Sequence, residues 1–482
     1  MDEELARERL DQGLSELTKQ APAWTKRDNY LRGDQDLPYA PEGVNAEYEE
    51  LRRTSVANWM SVAMSAPTQR LQAEGIKTGD KGEADQTIWS EVWEPNRLDS
   101  RQSIVFRDMY THGRGIMSVS AVEGNRKTPK IRPESGLNVY LGTDPDDPFT
   151  HTWAIKRVTV KAKRSTGLIG LDGTSLSIAE ERAYVYDENN WVLFVKTTNG
   201  FTGEWKKKDE GRHGLGELPF VAFDFNVDAV GRPTAAADGL IPQQDAINTI
   251  RFNTLLAMQF SAFRQRVFTG FDPVVRDSKG DPLVKKDAEG NPVLDANGQK
   301  IPIVRSPGRV GVDRALVFPG GETKVFDLPE SNLDNYIKVL SEFLTTFFAI
   351  GQIPPQYMLT KMANLSGDAL DGAESTLQSL TSDLKRAGSE GLRRVFRLAQ
   401  KARGEQAVTM TSHVIWADTQ PRSFSQTVDA IVKLISSGMA RQDAWDFLPE
   451  SSPDKLKDWT ENAAAERRQQ DEELNAVLEK TG

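Results

Sequence analysis

Apolar residues recur at helical spacing over residues 1–20, where Leu10, Leu14 and Leu17 share one stripe. They do so again over 45–66, through Leu51, Trp59 and Val62, until Pro67. Between these, Gly, Asp and Pro from Tyr30 to Gly43 predict a loop. A further helical stretch is expected over 83–112, with Ile88, Val92, Ile104, Val105 and Met109 inward and Gly113 and Gly115 at its end. The pattern then changes. From 116 to 226, short runs rich in β-branched and aromatic residues, at 116–120, 139–141, 151–160, 182–186, 191–195 and 218–225, predict an antiparallel sheet. Asn189-Asn190 reads as the hairpin turn between two of them.

The second half returns to helix. A long apolar run over about 240–270 gives way to three turn signals, Asp277 to Gly280, Asp287 to Gly290 and Asp295 to Gly298. Helix resumes at 328–351 and halts at Gly351 and Pro354-Pro355. A last long helix is expected over 366–404, capped by Ser366 with Asp368 in its first turn. Leu370, Ala373, Leu377, Leu380 and Leu384 form its stripe. Gly388 and Gly391 in its middle read either as a kink or as the joint between two helices. Residues 407–416 alternate with period two, and short helices are expected at 424–436 and 441–447 before a charged helical tail. The fold class is α+β, predominantly helical. Helix, insert, helix, loop and helix in that order suggest an elongated part, not a compact catalytic domain.

Composition supports that picture. The chain has 482 residues, 38% hydrophobic and 27% charged, polar for its length and suited to an extended or oligomeric shape. A net charge of −10 argues against a dominant nucleic-acid-binding face. Absence of cysteine removes disulfides, thiolate metal sites and cysteine nucleophiles. The acidic helical start is unlike a signal or transit peptide, and the longest apolar run, near 343–351, is too short to span a bilayer. A soluble, intracellular chain is expected, with no membrane partner.

Each chemistry-bearing motif in the chain has a plainer reading. The histidines, His112, His151, His213 and His413, lack the spacing of a helical zinc pair. The stretch from Gly75 to Gly82 lacks the spacing and Lys-Ser/Thr ending of a phosphate-binding loop. Gly388-Ser389-Glu390-Gly391 is one residue short of a nucleophile elbow and lies in a helical pattern. Asp144, Asp146 and Asp147 could hold a cation, but a solvated turn suits them better. Lys279, Lys285, Lys286 and Lys300 would oppose calcium at the three Asp-x-x-Gly turns. No catalytic residue, metal ligand or cofactor is expected.

Several strings in order resemble the portal proteins of long-tailed bacteriophages. They are Tyr30-Leu-Arg-Gly33 with Asp36-Leu-Pro38, Asn58-Trp59, Ile88-Trp89, and Asn96-Arg-Leu98. Leu218-Pro219, Asp245-Ala-Ile-Asn248, Ile353-Pro354, Asn364 to Leu370 and Trp416 continue the series. The resemblance implies a ring of about twelve subunits at one capsid vertex. Residues 1–239 and a strand at 405–420 would form the wing, 240–270 and 328–351 the stem helices, and 271–327 the clip. Residues 352–365 would be the tunnel loop, 366–404 the long helix behind it, and 421–482 the crown. Implied partners are further copies of itself, double-stranded DNA in the channel, the terminase large subunit, capsid and scaffolding proteins, and a head–tail adaptor.

On that resemblance Gln356, Lys361, Asn364 and Ser366 are candidates to touch DNA from the tunnel loop. Phe252, Leu256, Phe260, Phe263, Phe343, Phe347 and Phe348 are candidates for the contact between stems, because they are too apolar for lone surface helices. Asp277, Lys285, Lys286, Asp287 and Asp295 are candidates for motor and adaptor docking at the clip. A negative channel should slide past DNA, since neutralising many phosphates would hold the duplex. The alternatives are another virion or tail-baseplate ring protein and a hydrolase with a helical appendage; a buried helix hairpin within one domain would also explain the apolar stems.

Overall fold

The computed structural model describes residues 1–39, 46–77, 85–161, 179–198, 203–262, 266–269, 274–295, 298–304, 324–327, 333–354, 367–405, 412–417, 424–440, 444 and 458–469. They form two compact units. One comprises Met1–Tyr39, Val56–Asn248 and Ser341–Gly482; the other comprises Ala40–Ser55 and Thr249–Leu340. Mixed helix and antiparallel sheet make the chain α+β.

Helix α1 (Glu3–Arg32) starts where the Asp2 carboxylate accepts the Leu5 amide at 2.8 Å and ends at Gly33 with φ 82°. It runs well past the expected end at residue 20, straight through Pro22. Proline there removes one helical hydrogen bond, and burial of Trp24 and Tyr30 beyond it outweighs that loss. Tyr30-Leu-Arg is therefore the last helical turn and not loop.

The helix expected over 45–66 is two, α2 (Ala46–Ser55) and α3 (Trp59–Thr68). Asn58 caps α3 by accepting from the Ser61 amide at 3.0 Å, and Pro67 lies inside the last turn. Strand β1 (Ala73–Lys77) was not anticipated. The stretch 83–112 is also divided. A short α4 (Gln86–Ile88) runs into a π turn (Trp89–Trp93), and α5 (Leu98–His112) starts after Arg97 at φ 53°. Buried Asn96 makes that break: its amide donates to the Val92 and Pro129 carbonyls and accepts from the Ile131 amide, each at 2.8 Å.

The strands are β2 (Arg114–Ser120), β3 (Lys130–Glu134), β4 (Val139–Thr143), β5 (His151–Lys161), β6 (Ala179–Tyr186), β7 (Asn190–Thr198), β8 (Lys206–Arg212) and β9 (Phe220–Asp224). They make two antiparallel sheets, ordered β3-β2-β9 and β4-β5-β6-β7-β8. Leu10 and Leu17 of α1 cover one face of the larger sheet, against Ile155, Val185, Val192 and Phe194. Ile116, Leu141, Ala154 and Phe220 fill a second core between the sheets. β8 carries the sequence KKKDEGR and gives no apolar period, because it is an exposed edge strand held by its backbone pairing to β7 and by surface ion pairs of Lys207.

Helix α6 (Ala236–Ala262) leads to β10 (Arg266–Thr269), which pairs antiparallel with β11 (Lys324–Asp327). Helix α7 (Leu333–Ile350) follows, then the 37-residue α8 (Gly367–Arg403). α8 is unbroken across both glycines, so it is not two helices joined there. At Gly391 a Cβ would come within 2.3 Å of the Phe223 ring, so the glycine admits β9 against the helix. Strand β12 (His413–Trp416) pairs antiparallel with β1, and α9 (Phe424–Ser436) lies where expected. The helix expected at 441–447 lies outside the described residues except for Ala444. No described helix is long and apolar enough to cross a membrane.

Candidate functional site

Strings far apart in the chain meet in one polar junction of the larger unit. Gln244 of α6 is fully buried, and its carbonyl accepts from the Trp59 and Met60 amides at 3.0 and 3.2 Å. Its amide donates to the Ala57 carbonyl at 2.7 Å and to Asn248 at 2.9 Å. One turn along, Asn248 accepts from the Ala57 amide at 3.1 Å. Together they satisfy donors at the start of α3 that its own ladder leaves unpaired. Asp245 accepts the Tyr30 hydroxyl at 2.6 Å; burial first, and then that hydrogen bond and the Asp245 charge, raises the Tyr30 phenol well above its ordinary value. Asn58 donates to the Leu31 carbonyl at 2.9 Å, and Arg27 clasps Asp238 through two hydrogen bonds of 2.7 and 2.6 Å. The first turns of α6 are thereby fixed to α1 and α3.

The end of α7 lands on the same place. Phe348 meets Trp59 edge-on with ring centroids 5.6 Å apart and packs against Phe347 at 5.7 Å. The chain then turns at Gln352, φ 55°, where the Ile353 amide returns to the Phe348 carbonyl at 2.9 Å and Ile353 is buried. Residues 355–366 follow, so Gln356, Lys361, Asn364 and Ser366 lie outside the described residues. Phe347, Phe348 and Phe252 are buried within the single chain, and Phe343 and Leu256 are half-buried. Phe263 and the side chain of Phe260 are outside the described set. The apolar side chains that stand in water on these helices are others: Ile337 at 61%, Val339 at 46%, Ile350 at 48% and Met258 at 49% exposure.

The insert over 274–304 is built from turns. Asp277 Oδ1 accepts the amides of Lys279 and Asp281 at 2.8 and 3.0 Å, and Gly280 adopts φ 91° to close the reversal. Asp287 does the same for Glu289 and Asn291, and Asp295 accepts from Gln299 at 2.8 Å. The strands between turns close into two rings of three hydrogen bonds. Val275 donates to Ile303, Ile303 to Leu283 and Leu283 back to Val275, at 2.9, 2.6 and 2.7 Å. Lys285, Ile301 and Val293 form the second ring, at 2.8, 2.9 and 2.9 Å. The turns are legible from residue type, whereas the rings correspond to a subtler signal, the repeat of Val-x-x-Asp-x-x-Gly-x-Pro at 274–282 and 284–292, which places Val275 and Lys285 at equivalent positions. Asp277, Asp287 and Asp295 spend carboxylate oxygens on their own turns, while Lys285 and Lys286 stand exposed.

The serine, histidine and aspartate side chains of those motifs are engaged structurally. Ser389 donates to the Lys385 carbonyl at 2.7 Å and accepts the Trp416 indole N–H at 2.9 Å, which pins β12 to α8. His112 stacks on Trp24 with centroids 3.8 Å apart, its Nε2 3.2 Å from Asp28. Burial pulls His151 down to about 4, and His213 meets the Asp187 carbonyl at 3.0 Å. Asp144 and Asp147 cap the amides of Asp146 and Phe149 in an exposed turn. Among the described residues no group of three or more His, Asp or Glu side chains could hold a metal ion.

The sequence is similar to those of known proteins along most of its length. The chain is 24% identical to the portal protein of Mycobacterium phage D29 over 426 residues, covering 82% of this chain and 77% of that protein. It is 23% identical to the portal protein of Mycobacterium phage L5 over 461 residues, covering 89% and 84%. The family described as phage portal protein, SPP1 Gp6-like, matches residues 11–471. With nearly the whole chain matched, this protein belongs to the phage portal protein family, structural components of the virion.

Proposed function

We propose that the chain works as one subunit of a closed ring of about twelve copies at a single capsid vertex. Double-stranded DNA passes through the ring's channel during packaging and ejection, the terminase motor docks on it, and a head–tail adaptor follows. Residues 1–239 and the strand at 405–420 serve as wing, 240–270 and 328–351 as stem, 271–327 as clip, 352–365 as tunnel loop with 366–404 behind it, and 421–482 as crown. Gln356, Lys361, Asn364 and Ser366 meet DNA; Lys285 and Lys286 are offered to the motor or adaptor.

The observation that carries the ring reading is the apolar surface on the helices at 236–262 and 333–350. Ile337, exposed at 61%, and Val339, Ile350 and Met258 stand in water in the single chain. Repeated around a closed ring, such positions are covered by the next copy. Phe347 and Phe348 act differently: they anchor α7 inside the subunit.

Electron microscopy and light scattering of purified protein test this. Rings with a central hole are expected, and Ile337→Asp combined with Val339→Asp should shift the population to monomers that melt unchanged. A wild-type chain that stays monomeric at high concentration overturns the ring.

A further inference from the structure

A cleft opens between the two sheets, lined by residues of β2, β3, β5 to β9 and the segment after β2. It encloses about 610 Å³. Tyr184 and Tyr186 are two residues apart on β6 and so share one face, while Ala183 and Val185 point into the core under α1. The two tyrosine rings lie 6.2 Å apart at 24°, and Trp191 of β7 stands 6.3 Å from Tyr184. Phe220 closes edge-on against Tyr186 at 5.1 Å. These rings form an aromatic floor that no described element fully covers: Tyr184, Tyr186 and Trp191 are each only partly buried, Tyr186 the one packed against the core between the sheets.

The rim is basic. Arg126, Arg132 and Arg212 line it, all exposed, and none makes an ion pair with a described residue. Lys156 is the contrast, since it is held by Glu134 at 2.5 Å. Glu123 is the one carboxylate among the lining residues. In a chain of net charge −10, three arginines with no ion pair among the described residues, sharing a cleft with aromatic rings, suit a ligand that is both anionic and apolar.

We propose that this cleft binds an extended acidic segment of a partner protein. An apolar or aromatic side chain of that segment sits on Tyr184, Tyr186 and Trp191, and its carboxylates meet Arg126, Arg132 and Arg212. A nucleic acid fits the same features less well. Binding single strands takes a long positive groove that follows many phosphates, and here the cations are confined to the rim of one short cleft. The negative charge of the whole chain also repels a long polyanion at a distance that a short peptide, with few charges, tolerates. The inference does not depend on ring formation.

Fluorescence anisotropy on the full chain tests it with three labelled probes. They are the peptide Glu-Asp-Glu-Phe-Asp-Glu, its Gln/Asn counterpart, and a hexamer of thymidylate. The acidic peptide should bind, more weakly as salt rises, and the neutral one should not. Arg132→Glu with Arg212→Glu, both at exposed positions, should weaken binding by about tenfold or more while the melting temperature stays put. Absence of binding, equal binding by the variant, or tighter binding of the oligonucleotide would each overturn the proposal.

Discussion

Helix α8 and the insert over 274–304 both depend on glycine, for opposite reasons. α8 presses Leu384, Leu392, Val395 and Phe396 into the core, and Gly391 is there because a ring from β9 occupies the space of its missing side chain. The insert leaves most of its side chains in water. Its glycines at 280, 290 and 298 take positive φ with open space around them, and its shape comes from backbone hydrogen bonds and aspartate caps. One region is determined by what distant residues place against it. In the other, rules that act within five residues set each turn, and backbone hydrogen bonds between the turns join them.

That contrast can be broken most forcefully at Gly391. Gly391→Val drives a branched side chain into Phe223 and should cost about 3 kcal/mol or more, seen as a large drop in melting temperature. An unchanged melt would mean that the helix–sheet contact is looser than described. Gln244→Ala is the next largest. It leaves the buried Met60 amide without the Gln244 carbonyl, while the Trp59 amide keeps the Ala57 carbonyl, and should cost about 2 kcal/mol by chemical denaturation.

A pH experiment probes the packed region more gently. Burial raises Asp108 to about 6, so the fold favours its protonated form. That contribution is present below the ordinary value of 3.8 and is lost as pH rises through about 6. Asp108→Asn should therefore stabilise the protein at pH 7.5 by about 1 kcal/mol, with little gain at pH 4. His151, lowered to about 4 by burial, acts in the reverse sense: its contribution is present above 6.5 and lost as pH falls through about 4. A variant whose stability relative to wild type is flat with pH would exclude a buried Asp108.

The smallest effect belongs to the insert. Asp287→Ala frees the amides of Glu289 and Asn291 and should cost about 1 kcal/mol locally. Hydrogen exchange should quicken at Val293 and Lys285 while the global melt is unchanged. A cooperative loss of the whole protein would erase the distinction between the two regions.

How much was legible follows the same division. Strands β4 to β7 show as short runs of β-branched and aromatic residues because both faces of the sheet meet a core, and the Asp-x-x-Gly turns announce themselves through residue type alone. The strings Tyr30-Leu-Arg-Gly33, Asn58-Trp59 and Asp245 to Asn248 were visible as words, but not the junction in which they bond to one another. Nothing local distinguishes a glutamine that caps a distant helix from one in water.

By itself, then, the chain determined its mixed class, its turn-built insert, its long eighth helix and its kinship with portal proteins, since each rests on short-range periodicity, turn chemistry or the order of strings. Only the tertiary structure decided that α1 crosses Pro22, that the helices break at 56–58 and Arg97, that KKKDEGR is a strand, and which phenylalanines are already buried. Each of those outcomes is settled by burial or hydrogen bonding to residues remote in sequence, and no local rule contains that information.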